Sequence, residues 1–198
     1  MPVTQSSLTL TPQAYLEWEK VNEINHEFVD GDVFARADAK DAHVTMAGNL
    51  IALLHAHVKG APCRPYISDM KVRVEKASAF FYPDVMVTCD ERDRHTDYFK
   101  SHPILIAEIL SESTAACDRG RKFAAYRQLE SLREYLLIDT NDYSVDCFRR
   151  DTAGHWVLYP FGLGEQVELA SLNWSAPIAA LYEGVTVNPV PFPEEAER

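Results

Sequence analysis

The run Ile104-Leu105-Ile106-Ala107-Glu108-Ile109-Leu110 constrains the fold more than any other stretch of the chain. It is apolar except at Glu108, and such a run reads as a strand covered on both faces. An ionised carboxylate inside it is costly unless a cation or a set of donors compensates it. The chain offers two companions. One is Asp84, in Tyr82-Pro83-Asp84-Val85-Met86-Val87, and the other is Lys122, on a downstream helix. Two acids and a lysine, carried by two strands and the next helix, are suited to hold a divalent metal and a water, which points to phosphodiester hydrolysis.

The rest of the pattern supplies layers for that strand. Thr11 and Pro12 open a helix as N-cap and first helical residue, running to about Val21. Asp30-Gly31, between two short alternating runs, predicts a hairpin over His26–Phe34. A second helix is expected over roughly Asp41–Val58, burying Val44, Ala47, Leu50, Ile51 and Leu54, with Gly60-Ala61-Pro62 ending it. Strands are expected at Arg64–Ile67, Lys71–Glu75 and Asp84–Cys89, then a charged loop over Asp90–Ser101. The Glu108 strand leads into a helix over Thr114–Leu129, a buried strand at Tyr135–Asp139, and an antiparallel pair at Tyr143–Arg150 and Trp156–Phe161. A short helical piece is expected at Pro177–Leu181. The order predicts an α/β (α+β) fold, a mixed sheet flanked by helices with an N-terminal helix and hairpin. Residues 11–187 form the single domain, between a flexible 1–10 and a loose proline-bearing tail over 188–198.

The chain has 198 residues, enough for one domain with a real core. No apolar stretch approaches a membrane span, and Met1 to Leu10 carry no basic residue or long apolar core, so neither a membrane location nor a secretory signal is expected. Cys63, Cys89, Cys117 and Cys147 are scattered without a CxxC pair and read as reduced, packed thiols of a cytoplasmic protein. The formal net charge of −11 argues against a protein that coats nucleic acid by bulk electrostatics. It leaves room for a local phosphate-facing patch around Arg119, Arg121, Lys122, Arg127 and Arg133, or around Arg64, Lys71, Arg73 and Lys76. Solvated faces balancing nearby acids are the competing reading.

Lys122 projects from the same side of its helix as Ala125, Tyr126 and Leu129, in the middle of the apolar arc. A lysine there needs an escape route for its head or a buried acid partner, and Glu108 is the neighbour at hand. A plain buried ion pair is the competing explanation. Asp84 follows Pro83 at the start of a strand; if that strand adjoins the Glu108 strand, the two carboxylates converge and repel unless a cation sits between them. Mg²⁺, with its oxygen ligands and retained waters, is suited to the place. Glu27, before the Asp30-Gly31 turn, is a third acid able to ligate a second metal or orient a water, or else an exposed hairpin residue. His43 starts the second helix and reads first as a helix-end residue. HExxH, GxSxG, P-loop and GxGxxG patterns are missing, which disfavours the corresponding enzymes.

With these residues in place the chain resembles a family. Glu27-Phe28-Val29-Asp30-Gly31, Pro83-Asp84-Val85-Met86-Val87 and Ala107-Glu108-Ile109-Leu110-Ser111 are followed by Ser113-Thr114, Asp118-Arg119-Gly120, Lys122, Tyr126 and Arg133-Glu134-Tyr135. The ordered set is similar to the restriction-endonuclease-like family labelled Uma-two, within the PD-(D/E)XK nuclease superfamily, over roughly residues 11–161. The resemblance implies a restriction-endonuclease-like fold and a metal-dependent endonuclease acting on nucleic acid, with DNA as the expected substrate and Mg²⁺ or Mn²⁺ as cofactor. Asp84 matches the metal-binding Asp, Glu108 the acid of the (D/E)XK element, and Glu27 the acid before the Asp-Gly turn. The usual lysine position two residues after Glu108 holds Leu110, and Lys122 matches the lysine this family supplies from the following helix. Glu112 stands where many relatives have proline. The expected site is therefore Glu27, Asp84, Glu108 and Lys122, with Asp84, Glu108 and the Ile109 carbonyl on the metal. A homodimer is expected by analogy with related folds that pair to cut both strands. The rival expectation is a catalytically inactive nuclease-fold module that docks on DNA or a protein partner.

Overall fold

The computed structural model describes residues 9–36 and 39–187. Helix α1 (Pro12–Glu19) is capped by Thr11, whose hydroxyl accepts the Ala14 amide, with Pro12 at the first position as the sequence predicts. Strands β1 (His26–Val29) and β2 (Asp32–Ala35) form the hairpin. Its two turn residues, Asp30 and Gly31, have φ of +48° and +97°, the positive values that a two-residue turn between twisted strands demands. Helix α2 (Asp41–His57) follows. Then come β3 (Arg64–Ile67), β4 (Lys71–Val74), β5 (Ala79–Phe81), β6 (Val85–Thr88), β7 (Phe99–Lys100) and β8 (Pro103–Leu110). The next helical segment has three parts: α3 (Ala115–Cys117), a π-helical turn over Asp118–Lys122, and α4 (Phe123–Tyr126). The chain closes with β9 (Glu134–Asp139), β10 (Ser144–Arg150), β11 (Trp156–Gly162), β12 (Gln166–Leu169), β13 (Trp174–Pro177) and α5 (Ile178–Leu181).

The predicted mixed sheet is the six-stranded one, in the order β11-β10-β9-β8-β6-β3. Its β8 and β9 are parallel, joined by the helical segment, and the other pairings are antiparallel. The N-terminal hairpin does not join it. A second sheet, β2-β1-β5-β4-β7, forms instead, and β12 and β13 make a separate pair. The sequence predicts no strand at β5, β12 or β13, and it puts β7 inside the charged loop over Asp90–Ser101. Each has only two to four residues, too few for a period-two pattern to stand out from a loop.

Alternation along β8 explains why the run is apolar throughout. Leu105, Ala107 and Ile109 face a core shared with Met46, Leu50 and Leu54 of α2 and with α5 and the β12–β13 pair. Ile106 and Leu110 face a second core made with Val72, Phe81, Tyr126 and Leu129. Glu108 has the parity of Ile106 and Leu110, so the pleat aims it at α4 and the smaller sheet. On α2 the stripe is rotated from the expected one: Val44 is exposed, Ile51 only half-buried, and Met46 fully buried. The expected 188–198 tail lies outside the described residues, as does most of the 1–10 segment.

The cysteine expectation needs correction. Cys63 and Cys89 form a disulfide. Extending the β3–β6 register by one step beyond Arg64 opposite Thr88 puts the two cysteines face to face, with Cα atoms 3.9 Å apart. A separation of 26 residues conceals that pairing in the sequence. Only Cys117 and Cys147 are free thiols, so the argument from reduced cysteines to the cytoplasm loses half its premise. Among the described residues, no helix is long and apolar enough to cross a membrane.

Glu134 shows how the fold treats a buried acid that serves structure. It is fully buried, and its carboxylate accepts from Arg149 Nε at 2.7 Å, the Ala170 amide at 3.0 Å, and the Ser171 amide at 2.9 Å and hydroxyl. It thus ties the turn between β12 and β13 to the main sheet. Glu134→Ala leaves Arg149 and two amides without their acceptor and is expected to cost about 3–5 kcal/mol. The fall would be read from the urea midpoint, with new proteolytic nicking between residues 162 and 174; an unchanged midpoint contradicts this role.

Candidate active site

Asp84 directly precedes β6, and Glu108 lies on β8. The β6–β8 register pairs Val85 with Ala107, so Asp84 and Glu108 are the next opposed pair. They are laced through the backbone: the Asp84 amide donates to Glu108 Oε2 at 3.2 Å, and the Ile109 amide donates to Asp84 Oδ2 at 2.8 Å. Ile109 thus meets Asp84 through its N–H. Both acids are buried, Asp84 at 5% exposure and Glu108 at 2%.

Lys122 reaches this pair from the π turn. Its Nζ lies 3.3 Å from Glu108 Oε1, 3.1 Å from Glu27 Oε1 and 3.2 Å from Asp118 Oδ1. The predicted helix over Thr114–Leu129 is not a regular α-helix: the widened turn brings Asp118 and Lys122 both inward, and π turns of this kind recur at functional sites. Gly120, a weak helix former, sits at its middle. Glu27 lies on β1, the strand before the Asp30-Gly31 turn, and points inward; its Oε1 also accepts the Tyr82 amide at 3.4 Å. The three acids and the lysine expected from the sequence, together with the Ile109 backbone, therefore share one place, and the exposed-hairpin reading of Glu27 is excluded.

The structure adds four residues. His43 Nε2 stands 3.0 Å from Asp84 Oδ2, so it faces the acids and is more than a helix-end residue. Arg36 Nη2 lies 3.8 Å from Asp84 Oδ1. The Tyr126 hydroxyl donates to Glu108 Oε1 at 2.8 Å. Asp118, 2% exposed, has the Lys122 ammonium beside it, yet its Oδ1 has no donor in hydrogen-bond geometry among the described residues. Asp118 is legible in retrospect as the acid four residues before Lys122, and Tyr126 as the polar-tipped residue on the same apolar arc. Arg36 and His43 carry no such local signal. The first expected basic patch does not hold together: Lys122 turns inward, Arg119 pairs with Asp146 at 2.7 Å, and Arg121 lies over the Phe34 ring.

Electrostatically the cluster is short of positive charge. Burial pushes the Glu108 carboxyl well above the usual range; Lys122 opposes the shift, while Asp84, Asp118 and Glu27 add to it. Burial also raises Asp118 against the pull of Lys122. Burial acts to lower Lys122, but Glu108, Glu27 and Asp118 outweigh it and hold the ammonium well above the ordinary lysine value. With every acid ionised and His43 neutral, Glu27, Asp84, Glu108 and Asp118 exceed Lys122 and Arg36 by two negative charges. One divalent cation would close that gap. Among the described residues no three His, Cys, Asp or Glu side chains converge as a ready-made metal cage. Mg²⁺ does not require one: it is held by one or two carboxylates and keeps several waters. The oxygen-rich donor set and the excess of acids over bases fit such an ion at the Asp84–Glu108 pair.

A helix-flanked mixed sheet with this cluster over its central strands defines a nuclease-type α+β protein. The fold matches that of a solved structure from Anabaena variabilis, described as a "putative nuclease belonging to DUF820", with a TM-score of 0.71 over 88% of this chain and 98% of that one, at 16% identity. The chain belongs to the Uma2 family, whose model, described as "Putative restriction endonuclease", matches residues 12–179. Two uncharacterized Synechocystis proteins are similar along nearly their whole length. One, slr1290, is 33% identical over 89% of this chain and 93% of its own; the other, sll1609, is 34% identical over 85% and 96%.

Proposed function

We propose that the protein is a metal-dependent endonuclease of the PD-(D/E)XK type that hydrolyses phosphodiester bonds in nucleic acid, with DNA as the substrate. The observation that carries this reading is the buried, opposed Asp84–Glu108 pair, with Lys122 at 3.3 Å from Glu108. Asp84 and Glu108, with the Ile109 carbonyl, would hold Mg²⁺ or Mn²⁺. Such an ion supplies Lewis-acid polarisation of the phosphate and a more acidic attacking water.

The chain's own groups do the rest. Lys122 offers a fixed ammonium where negative charge develops on the phosphate, in a site screened from bulk water. Asp118 and Glu27 keep that ammonium charged and aimed. Tyr126 fixes the rotamer of Glu108, and His43 and Arg36 fix that of Asp84. Glu27, the least buried of these acids with 16% of its side chain exposed, is placed to orient the attacking water.

Purified protein with linear and supercoiled DNA should cut in Mg²⁺ or Mn²⁺ and stop in EDTA, and Asp84→Asn should be inactive. Divalent-ion binding should also release a proton, because the raised Glu108 carboxyl must ionise to bind. Calorimetry in two buffers of different ionisation enthalpy reads that release. Full cleavage in EDTA, or by Asp84→Asn, contradicts the reading; no metal binding at millimolar concentration favours a docking module instead.

A further inference from the structure

Tyr82 links the acid cluster to a second cavity. Its backbone amide faces Glu27, while its hydroxyl enters a pocket of about 290 Å³ lined by Leu16, Asn25, Asp69, Lys71 and Tyr98. Lys71 is the unusual member. It is 8% exposed, and among the described residues its ammonium has one acceptor, the Tyr82 hydroxyl at 2.9 Å, and no carboxylate at ion-pair distance. The Tyr82 hydroxyl in turn donates to Glu19 Oε1 at 2.7 Å. Glu19 also accepts the His26 amide at 2.7 Å, with the His26 ring 3.1 Å from its other oxygen, and makes no hydrogen bond to Lys71. Lys71 therefore keeps donors directed into the cavity. Burial lowers its basicity, against the pull of Glu19 and Asp69, in keeping with an ammonium that lacks a direct counter-ion.

Asp69 offers the opposite chemistry. Its Oδ1 accepts from Asn25 at 3.0 Å, and its Oδ2 takes no hydrogen bond among the described residues. The pocket thus presents free donors on one side and a free carboxylate oxygen on the other. Lys20 is paired with Glu17 at 2.8 Å, so its charge is not free to offset Glu19 and Asp69, and the lining has no excess of positive charge that would favour an anion. Tyr98, more than half exposed, and Leu16 add flat apolar surface. A neutral, planar heterocycle with acceptors on one edge and donors on another matches all three features, and the volume is at the small end of the range for ligand sites.

We propose that this pocket receives a single unstacked guanine of the substrate strand. Lys71 would donate to the O6/N7 edge, the pairing that lysine makes with guanine, and Asp69 would accept from the N1 and N2 hydrogens. The inference rests on the nuclease reading for the source of the base. Arg36 bridges the two places: its Nη2 is 3.8 Å from Asp84, its guanidinium lies over the Tyr82 ring, and its amide donates to the Asn25 carbonyl.

The test uses 2′-deoxyguanosine, 2′-deoxyadenosine and 2′-deoxycytidine with the metal-free full chain, followed by ligand-observed NMR. Deoxyguanosine should bind at least about tenfold more tightly than the other two, the discrimination expected of one good polar pair. Asp69→Asn, a surface change that leaves the fold intact, and Lys71→Met should each remove that preference. Equal binding of the three nucleosides, binding of none, or an unchanged preference in Asp69→Asn overturns the pocket assignment. Deoxyguanosine binding by a protein that cuts nothing sinks the nuclease reading and leaves the pocket standing; cleavage without nucleoside preference does the reverse.

Discussion

Glu108→Gln should abolish cleavage, lowering the rate by at least about 10³-fold, while the protein remains folded. The substitution keeps the uncharged form that burial favours at Glu108, and the amide oxygen still accepts from Tyr126. At pH 5 stability should change by about 1 kcal/mol, the cost of turning the side-chain NH2 towards the Asp84 amide donor. The pH dependence supplies an independent check. Glu108 is raised by burial in the folded protein, so below the unfolded carboxylate pKa both states are protonated. As the pH climbs, the unfolded chain ionises first, and metal-free wild type loses stability until the folded Glu108 ionises too. Glu108→Gln lacks that loss, so the variant gains on wild type between pH 5 and pH 8 in EDTA. A denaturation series across that range reads the gap. A gap that closes as pH rises, or full nuclease activity in the variant, removes Glu108 from its role.

Lys122→Met should be inactive for a different reason and should also be unstable. Among the described residues its ammonium is the one group within 3.3 Å of Glu27, Glu108 and Asp118 together. Removing one partner of a buried ionic cluster strands the others and costs about 3–5 kcal/mol. Glu108 and Asp118 already sit above their usual range, and without the lysine they rise further and can escape the penalty by protonation. The loss of stability should therefore be large at pH 8 and much smaller at pH 5. Urea midpoints at the two pH values decide it: an equal loss at both would mean that the lysine contributes packing and no charge compensation.

The site was more legible in the sequence than its setting. A lone acid in an unbroken apolar run and a lysine in the middle of an apolar helical arc are both expensive, and expense of that kind is visible without coordinates. Asp84 gained its place from strand adjacency, which the antiparallel β6–β8 register then supplied. The helix carrying Lys122 was expected in the right place but with regular geometry; a sequence period assumes one residue spacing per turn and cannot register the π turn over Asp118–Lys122. His43 reaches Asp84 through the packing of α2 on β6, and Arg36 reaches it from the position that follows β2. The Cys63–Cys89 bridge and the short β5, β12 and β13 strands likewise depend on pairings between segments whose local patterns are too brief to announce them.

The central claim is that Asp84 and Glu108 share a divalent cation in front of Lys122. A crystal soaked in millimolar Mn²⁺ and measured at the manganese absorption edge tests it most directly. An anomalous peak between the Asp84 and Glu108 carboxylates, absent from Asp84→Asn crystals, is the predicted result. A fully substituted soak with no peak there, or with its peak elsewhere on the protein, would contradict the account.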